Sequence, residues 1–382
     1  MKTFNKAYKY RFYPNNEQKE FLTKTFGSVR FVWNNILDWR SKEYTTNKVK
    51  ISYADSSKKL TSLKNQFDWL NEVSSVALQQ TLRDQDRAFS NFFAKKSQYP
   101  VFKKRQSHQS FRLVSTGFTY KDGNVFIAKS KTPLNIRWSR NFNGIPSSIT
   151  ITKDSADRYF ISILVEETIE PKSVLTKTVG IDVGLSDFAI SSDGVKYKPL
   201  KAFAKYSLKL TKLQKKMLKK KHSRYKGDPT PKSKNFVKAS KKVARVQAKI
   251  ADCRNDFLHK LSTKLINENQ VICLENLNIQ GLIRNKKLSK HIADASWSKF
   301  INQLEYKAMW YGRTISFVSP FFPSSQICSK CGTNTGKKPL HIRKWKCNNC
   351  NTTHDRDVNA ANNILTAGLA ELACGDATVG GM

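Results

Sequence analysis

Cys328, Cys331, Cys347 and Cys350 form two Cys-x-x-Cys pairs with fifteen residues between them. Two such pairs at this spacing suit a zinc ribbon, in which four thiolates complete a closed tetrahedral Zn²⁺ site of structural type. With four sulfurs available, His341 and His354 in the same stretch are expected to be ordinary surface or hinge residues. Seven residues past Cys350 stands Asp357, in Asp355-Arg356-Asp357-Val358-Asn359-Ala360-Ala361-Asn362-Asn363-Ile364-Leu365. Asp and Asn leading Ala, Ile and Leu read as the capped start of a helix, and Asp357 alone could be no more than a cap or first-turn acid.

Two further acids change that balance. Asp182 lies inside the apolar run Thr178-Val179-Gly180-Ile181-Asp182-Val183-Gly184-Leu185, and Glu275 ends Val271-Ile272-Cys273-Leu274-Glu275. A carboxylate within a buried strand is costly unless it is paired or bound to a metal. Three of them would repel one another in a core unless divalent cations neutralised them, and oxygen ligands with a phosphodiester substrate imply Mg²⁺ or Mn²⁺. In two-metal chemistry one ion generates hydroxide and the other stabilises the leaving 3′ oxygen, with the ions about 3.5–4 Å apart. The products would be a 3′-hydroxyl and a 5′-phosphate. Arg356 could contact the scissile phosphate or pair with Asp355, and the residues leave both open.

A chain of 382 residues has room for two or three domains. Its formal net charge of +39 points to a polyanionic partner. The basic residues run through the whole chain instead of gathering on one amphipathic helix, which favours nucleic acid over an anionic membrane. There is no N-terminal apolar h-region and no long apolar run, so neither a signal peptide nor a membrane span is expected. Cys253, Cys273 and Cys374 leave an odd count without disulfide spacing, which fits a reduced, cytoplasmic, nucleoid-associated protein.

The elements that must position the acids follow from periodicity. Phe4, Tyr8, Tyr10 and Phe12 share one parity and predict a first strand, residues 1–14. Leu22, Phe26, Val29, Trp33 and Ile36 then recur at helical steps; a second helix carries Leu60, Leu63, Phe67 and Leu70, and a third, from near Ser74, carries Leu78, Leu82, Phe89 and Phe93. These make a helical insert over 15–98. Strand patterns return over 99–172, at Phe111 to Val114, around Asp122-Gly123, at Leu134 to Trp138, and in a hairpin of Ser148 to Thr152 with Arg158 to Val165. The first strand is expected to join them in a barrel. Lys103, Lys104, Arg105, Arg112, Arg137 and Arg140, interleaved with Phe102, Phe111 and Trp138, suit phosphates and unstacked bases, although a solvated basic face over an aromatic core would read the same.

From 173 to 323 strands alternate with helices, which implies an α/β domain. Into it, over about 201–268, is inserted a helical hairpin. Lys201 to Lys249 holds eighteen Lys or Arg and one acid, Asp228, with Leu210, Leu213, Met217, Val243, Val246 and Ile250 as a packed stripe broken at Gly227-Asp228-Pro229. Like charges this dense fit a phosphate-backbone contact surface. A helix with Phe300, Ile301, Leu304 and Met309 and a strand at Thr314 to Val318 follow. The zinc ribbon occupies 324–353, a last helix 354–368, and a glycine-containing tail 369–382.

The combination of GIDVGLSDFAISSDG, VICLENLNI, ASWSKFINQLEYKAMWYGR, FFPSSQICSKCG, KWKCNNC and HDRDVNAANNIL resembles the TnpB (OrfB) family of bacterial and archaeal transposons, which is related to the type V CRISPR effector nucleases. The resemblance spans nearly the whole chain, including the opening AYKYRFYP and FGSVRFVWN. It implies a multidomain α/β protein with an RNase H-like (RuvC) nuclease domain whose three acids correspond to Asp182, Glu275 and Asp357, and a zinc ribbon on Cys328, Cys331, Cys347 and Cys350. For the N-terminal half it implies a wedge-type β-barrel with a helical recognition insert. It further implies a guide RNA from the transposon end, double-stranded target DNA cut beside a short transposon-adjacent motif, and the company of a transposase encoded by the same element. A strand-joining transposase and a nuclease-inactive, RNA-guided repressor are the competing functions, and none of the three acids is missing.

Overall fold

The computed structural model describes residues 2–106, 108–200, 202–223, 225, 230–284, 292, 294–339 and 341–375. The chain divides into two units, Thr3–Thr168 and a second running from Ile169 onward.

In the first unit, the alternation of Tyr8, Tyr10 and Phe12 with Lys9 and Arg11 buries one face of β1 (Lys2–Phe12). The chain continues through β2 (Gln109–Val114), β3 (Phe118–Lys121), β4 (Asn124–Ile127), β5 (Ile136–Arg137), β6 (Pro146–Lys153) and β7 (Tyr159–Ile169). A five-stranded sheet runs in the order β2, β6, β7, β1, β5, so the first strand does join strands that follow it by more than a hundred residues. β3 and β4 pair separately across Asp122-Gly123, both at positive φ as a tight hairpin turn requires. β5 is shorter than the expected strand over Leu134 to Trp138, because only Ile136 and Arg137 find partners on β1.

Between β1 and β2 the chain forms α1 (Asn16–Asn47), α2 (Tyr53–Gln66) and α3 (Ser75–Phe93). Capping boxes start the first two, Asn15 with Gln18 and Ser52 with Asp55. Phe67 and Leu70 do not extend α2 as their spacing suggests: it stops at Gln66, and a 3₁₀ turn over Asp68–Glu72 tucks Leu70 into the core instead. Leu22, Val32, Ile36, Leu78 and Leu82 share one core with Phe12, Leu113, Ile149 and Ile161.

The second unit contains β8 (Thr178–Val183), β9 (Ala189–Ser191), β10 (Lys196–Tyr197), α4 (Ala202–Leu218), α5 (Lys234–Glu268), β11 (Val271–Glu275), α6 (Ile279–Ile283), α7 (Trp297–Tyr311), β12 (Thr314–Val318), β13 (Lys344–Lys346), β14 (Thr353–Asp355) and α8 (Arg356–Ala373). Its main sheet runs β10, β9, β8, β11, β12. β8, β11 and β12 are parallel, while β9 and β10 return antiparallel at one edge. Both faces of the parallel strands are covered, which is why their sequences are nearly continuous apolar runs. Val179, Ile181, Ile272 and Leu274 pack with Leu258, Leu261 and Leu265 of α5 and Phe300 and Leu304 of α7. On the opposite parity, Cys273 packs with Ile364 of α8.

The basic hairpin has the expected stripe, Leu210, Val243, Val246 and Ile250, with Leu213 and Met217 at its margin. Its expected break at Gly227-Asp228-Pro229 lies outside the described residues. Met309 does not share the buried side of α7 but is exposed; Gln303 and Lys307 are buried there with Phe300 and Leu304. The last helix also runs past the expected boundary at 368 to Ala373, because Gly368 packs on Cys273 and accepts a hydrogen bond from Ser316 at its carbonyl. Residues 376–382 of the expected tail are outside the description. Among the described residues no helix is long and apolar enough to cross a membrane.

Candidate functional site

β8 and β11 pair in parallel with Leu274 opposite Ile181, so Asp182 and Glu275 are the next residues on adjacent strands. Asp182 has the parity of Gly180 and Glu275 that of Cys273, so both carboxylates emerge on the face that α8 covers. α8 lies unusually close there. A Cβ at position 180 would run into the Ala361 carbonyl oxygen and sit 2.7 Å from the Leu365 amide nitrogen, so only glycine lets helix and strand meet. The approach delivers the first turn of α8, with Asp357, to the end of β8.

Asp357 is not the cap of this helix. Asp355 is: its Oδ1 accepts from the amides of Asp357 at 3.1 Å and Val358 at 3.2 Å, while its Oδ2 pairs with Lys196 at 2.7 Å. That leaves the Asp357 carboxylate free of backbone duty. The Asp182 carboxyl is pushed up to about 7, first by burial, then by Glu275 and Asp357, with the Arg356 guanidinium partly offsetting them. Burial also raises Glu275. Glu275 and Asp357 thus both act electrostatically on Asp182.

Arg356 neither pairs with Asp355 nor faces outward. It is buried and donates from Nη1 to the Pro339 carbonyl at 2.8 Å, since Lys196 already occupies Asp355. The cation beside Asp357 is instead Arg343, whose Nη1 lies 3.2 Å from each carboxylate oxygen. Arg343 precedes β13 and gives its carbonyl to the Arg356 amide at 2.8 Å, so the β13–β14 pairing places it at the start of α8. Nothing in the local pattern of a basic stretch singles this residue out.

The four cysteines converge, their sulfurs all within 4.8 Å of one another, close enough to hold one metal ion. Cys328 to Cys350 is 3.6 Å and Cys331 to Cys347 is 3.7 Å, against the ~3.8 Å edge of a tetrahedral Zn–thiolate site with bonds of ~2.3 Å. Matching turns shape the two knuckles, with Gly332 N–H donating to the Cys328 carbonyl and Asn351 N–H to that of Cys347. His341 is exposed, as expected. His354 is not a surface residue: it is buried against Trp345 with Nε2 3.0 Å from Cys328 Sγ, where a ring N–H can donate to the sulfur.

Two buried amides that motif reading passed over tie this module to α8. Asn359 donates to the Ile327 carbonyl at 2.7 Å and accepts from Ser329 N–H at 2.9 Å; Asn363 donates to the carbonyls of Ser324 and Ile327 at 2.7 Å each. Their spacing of four on an otherwise apolar helix face is the signal that could have found them.

Comparison with known proteins places these pieces together. Residues 161–286 match the OrfB_IS605 family model, described as a probable transposase; residues 297–364 match the Cas12f1-like TNB domain; residues 1–48 match a helix-turn-helix domain, although they fold here as β1 and the single long helix α1. A protein of Streptomyces pristinaespiralis, provisionally named an RNA-guided DNA endonuclease, is 45% identical over 98% of this chain and 92% of its own length. InsQ of Escherichia coli strain K12, with the same provisional name, is 30% identical over 97% of this chain and 94% of its own. The fold resembles Cas12f1 in a cryo-EM structure of its complex with sgRNA and target DNA, with a TM-score of 0.57 and 17% identity, covering 92% of this chain and 83% of that one. With relatives this similar along nearly its whole length, the chain belongs to the TnpB (OrfB) family.

Proposed function

We propose that the chain is an RNA-guided DNA endonuclease whose second unit is an RNase H-like (RuvC) domain, with Asp182, Glu275 and Asp357 as its catalytic acids. The observation that carries this reading is that Asp182 and Glu275 stand side by side at the ends of β8 and β11 with Asp357 in the first turn of the helix packed on them, Glu275 and Asp357 both adding to the rise that burial gives Asp182. Sheet order and strand directions agree with that domain, and the names of the relatives matched along nearly their whole length agree with the endonuclease activity.

A buried, mutually repelling set of acids suits hard divalent cations, so these three residues would hold Mg²⁺ or Mn²⁺. When bound, such ions would supply a hydroxide nucleophile and charge for the leaving oxygen. The protein's own part is positional. Strand pairing holds Asp182 beside Glu275, the Asp355 cap and Lys196 fix the first turn of α8, and Arg343 orients both oxygens of Asp357. Hydrolysis breaks the P–O3′ bond and leaves a 3′-hydroxyl and a 5′-phosphate.

The thiol cluster fits Zn²⁺, which would hold the ribbon that carries Arg343 against α8. Guide RNA and duplex DNA are the partners that a net charge of +39 accommodates, with sequence choice delegated to base pairing and cutting beside a short transposon-adjacent motif.

The test is guided cleavage of target DNA in Mg²⁺. Asp182→Ala should abolish it, and a variant that cuts as fast as wild type would remove the assignment. If the purified protein instead joined transposon ends without RNA, the transposase reading would replace this one.

A further inference from the structure

The end of α3 and the segment after it carry exposed aromatic rings. Phe93 is 67% exposed, Tyr99 43% and Phe102 53%, although rings of this size are ordinarily buried. The rings around the end of α3 pack on one another. Tyr99 meets Phe92 and Phe89 edge-on at 5.3 and 5.6 Å, and Phe93 stacks on Phe89 at 6.4 Å.

The segment that follows is strapped to α1. Trp33 Nε1 donates to the Val101 carbonyl at 3.0 Å, the Asn34 amide holds both the carbonyl and the N–H of Lys103 at 3.0 and 2.8 Å, and the Tyr99 hydroxyl lies 2.8 Å from Ser41 Oγ. These bonds turn Lys103 inward, its Nζ 3.8 Å from the Trp33 ring centre, and leave Phe102 facing out.

Further along the same strapped segment, toward the start of α1, is a pocket of about 10 Å³, room for one water-sized group, whose walls include Arg30, Lys103, Lys104 and His108 and no carboxylate. The surrounding sequence has the same bias. No Asp or Glu stands between Asp86 and Asp122, while Lys95, Lys96, Lys103, Lys104 and Arg105 fall in that interval. Exposed aromatic faces and a basic pocket along one strapped segment suit a run of unpaired nucleotides, with bases on the rings and backbone phosphate at the pocket. A duplex hides its base faces, and an apolar protein partner would leave the pocket unused.

We propose that Phe93, Tyr99 and Phe102 stack unpaired bases of the guide RNA, with the pocket at Lys103 and Lys104 on the same segment taking its backbone phosphate. The proposal rests on the guided reading above. Within that reading the target strand is paired with the guide, whereas the loops and bulges of a structured RNA offer splayed bases to aromatic side chains.

The experiment uses the full chain purified with the RNA it acquires when expressed beside its flanking DNA. Ultraviolet crosslinking followed by peptide mapping should place RNA adducts within residues 93–105. The double variant Phe93→Ala/Phe102→Ala should bind that RNA roughly tenfold or more weakly, with an unchanged melting temperature because both rings are exposed. Phe102→Trp should keep wild-type affinity and Phe102→Leu should lose it, which separates stacking from general apolarity. Unchanged affinity in the double variant, or RNA adducts that map elsewhere and not to this segment, would overturn the proposal while leaving the guided reading intact. If the wild-type chain carries no discrete RNA, the guided reading itself falls and takes this inference with it.

Discussion

At the scale of single residues, two buried groups impose opposite pH dependences. Asp182, raised from 3.8 to about 7, is protonated in the folded chain before the unfolded one. Its stability contribution is full below about pH 4 and is lost as the pH rises through about 7. Without added divalent cation, stability should therefore fall across that window. Asp182→Asn should flatten the fall and raise the melting temperature at pH 7 by roughly 2–4 °C while ending cleavage. Melting curves of both proteins between about pH 4 and 7 check this, and parallel curves would refute it. Lys307 works the other way. Its Nζ donates to the His259 carbonyl, Ser262 Oγ and Thr263 Oγ1, yet burial pushes it down from 10.5 to about 8. The folded chain releases that proton first, so stability should increase between about pH 8 and 10.5 relative to Lys307→Met, as denaturant titrations at the two ends would measure.

At the scale of elements, the site depends on how closely α8 meets the sheet. Gly180→Ala puts a methyl group against backbone of α8, which cannot swing aside as a side chain could. It should cost roughly 1–3 kcal/mol or more and reduce cleavage by withdrawing Asp357 from Asp182, both read from one preparation by denaturation and by target cutting. The zinc module acts on the same helix from the other side. Cys347→Ser, at a buried sulfur, should release the metal and free the Asn359 and Asn363 contacts to Ile327. Zinc content per chain and cleavage rate should fall together, and a variant that lost zinc but cut at full rate would show that the ribbon does not position Arg343.

At the scale of the whole molecule, each unit has its own apolar core, one around Phe12, Leu82 and Ile161 and the other around Ile181, Leu265 and Phe300. What they share is charge, +39 over the chain. Binding that neutralises six or more phosphates loses roughly a thousandfold in affinity between about 50 and 200 mM salt. RNA titrations across that range should show such a slope, and a flat response would mean that apolar contacts dominate. Stacking at Phe93 and Phe102 predicts a remainder, a salt-insensitive part of the affinity that Phe93→Ala/Phe102→Ala removes.

Much of this architecture was legible in the order of residues. An apolar run with a single carboxylate in Thr178–Val183 and again in Val271–Glu275 marks the candidate acids, two Cys-x-x-Cys pairs mark the ribbon, and helical spacing marks the stripe of the basic hairpin. These are local periodicities, and a chain carries them whatever its neighbours do. Other features were decided only by packing. Arg356 points inward to Pro339 and Arg343 takes the place beside Asp357; His354 turns to Cys328; β5 keeps two residues of an expected five, paired with Arg11 and Phe12 of β1. In each case the partner comes from a different element, and which of several similar basic or polar residues reaches it depends on where a crossover returns the chain. That is set by the close contact of α8 with β8 and by the knuckle turns of the ribbon, geometry that no window of neighbouring residues contains.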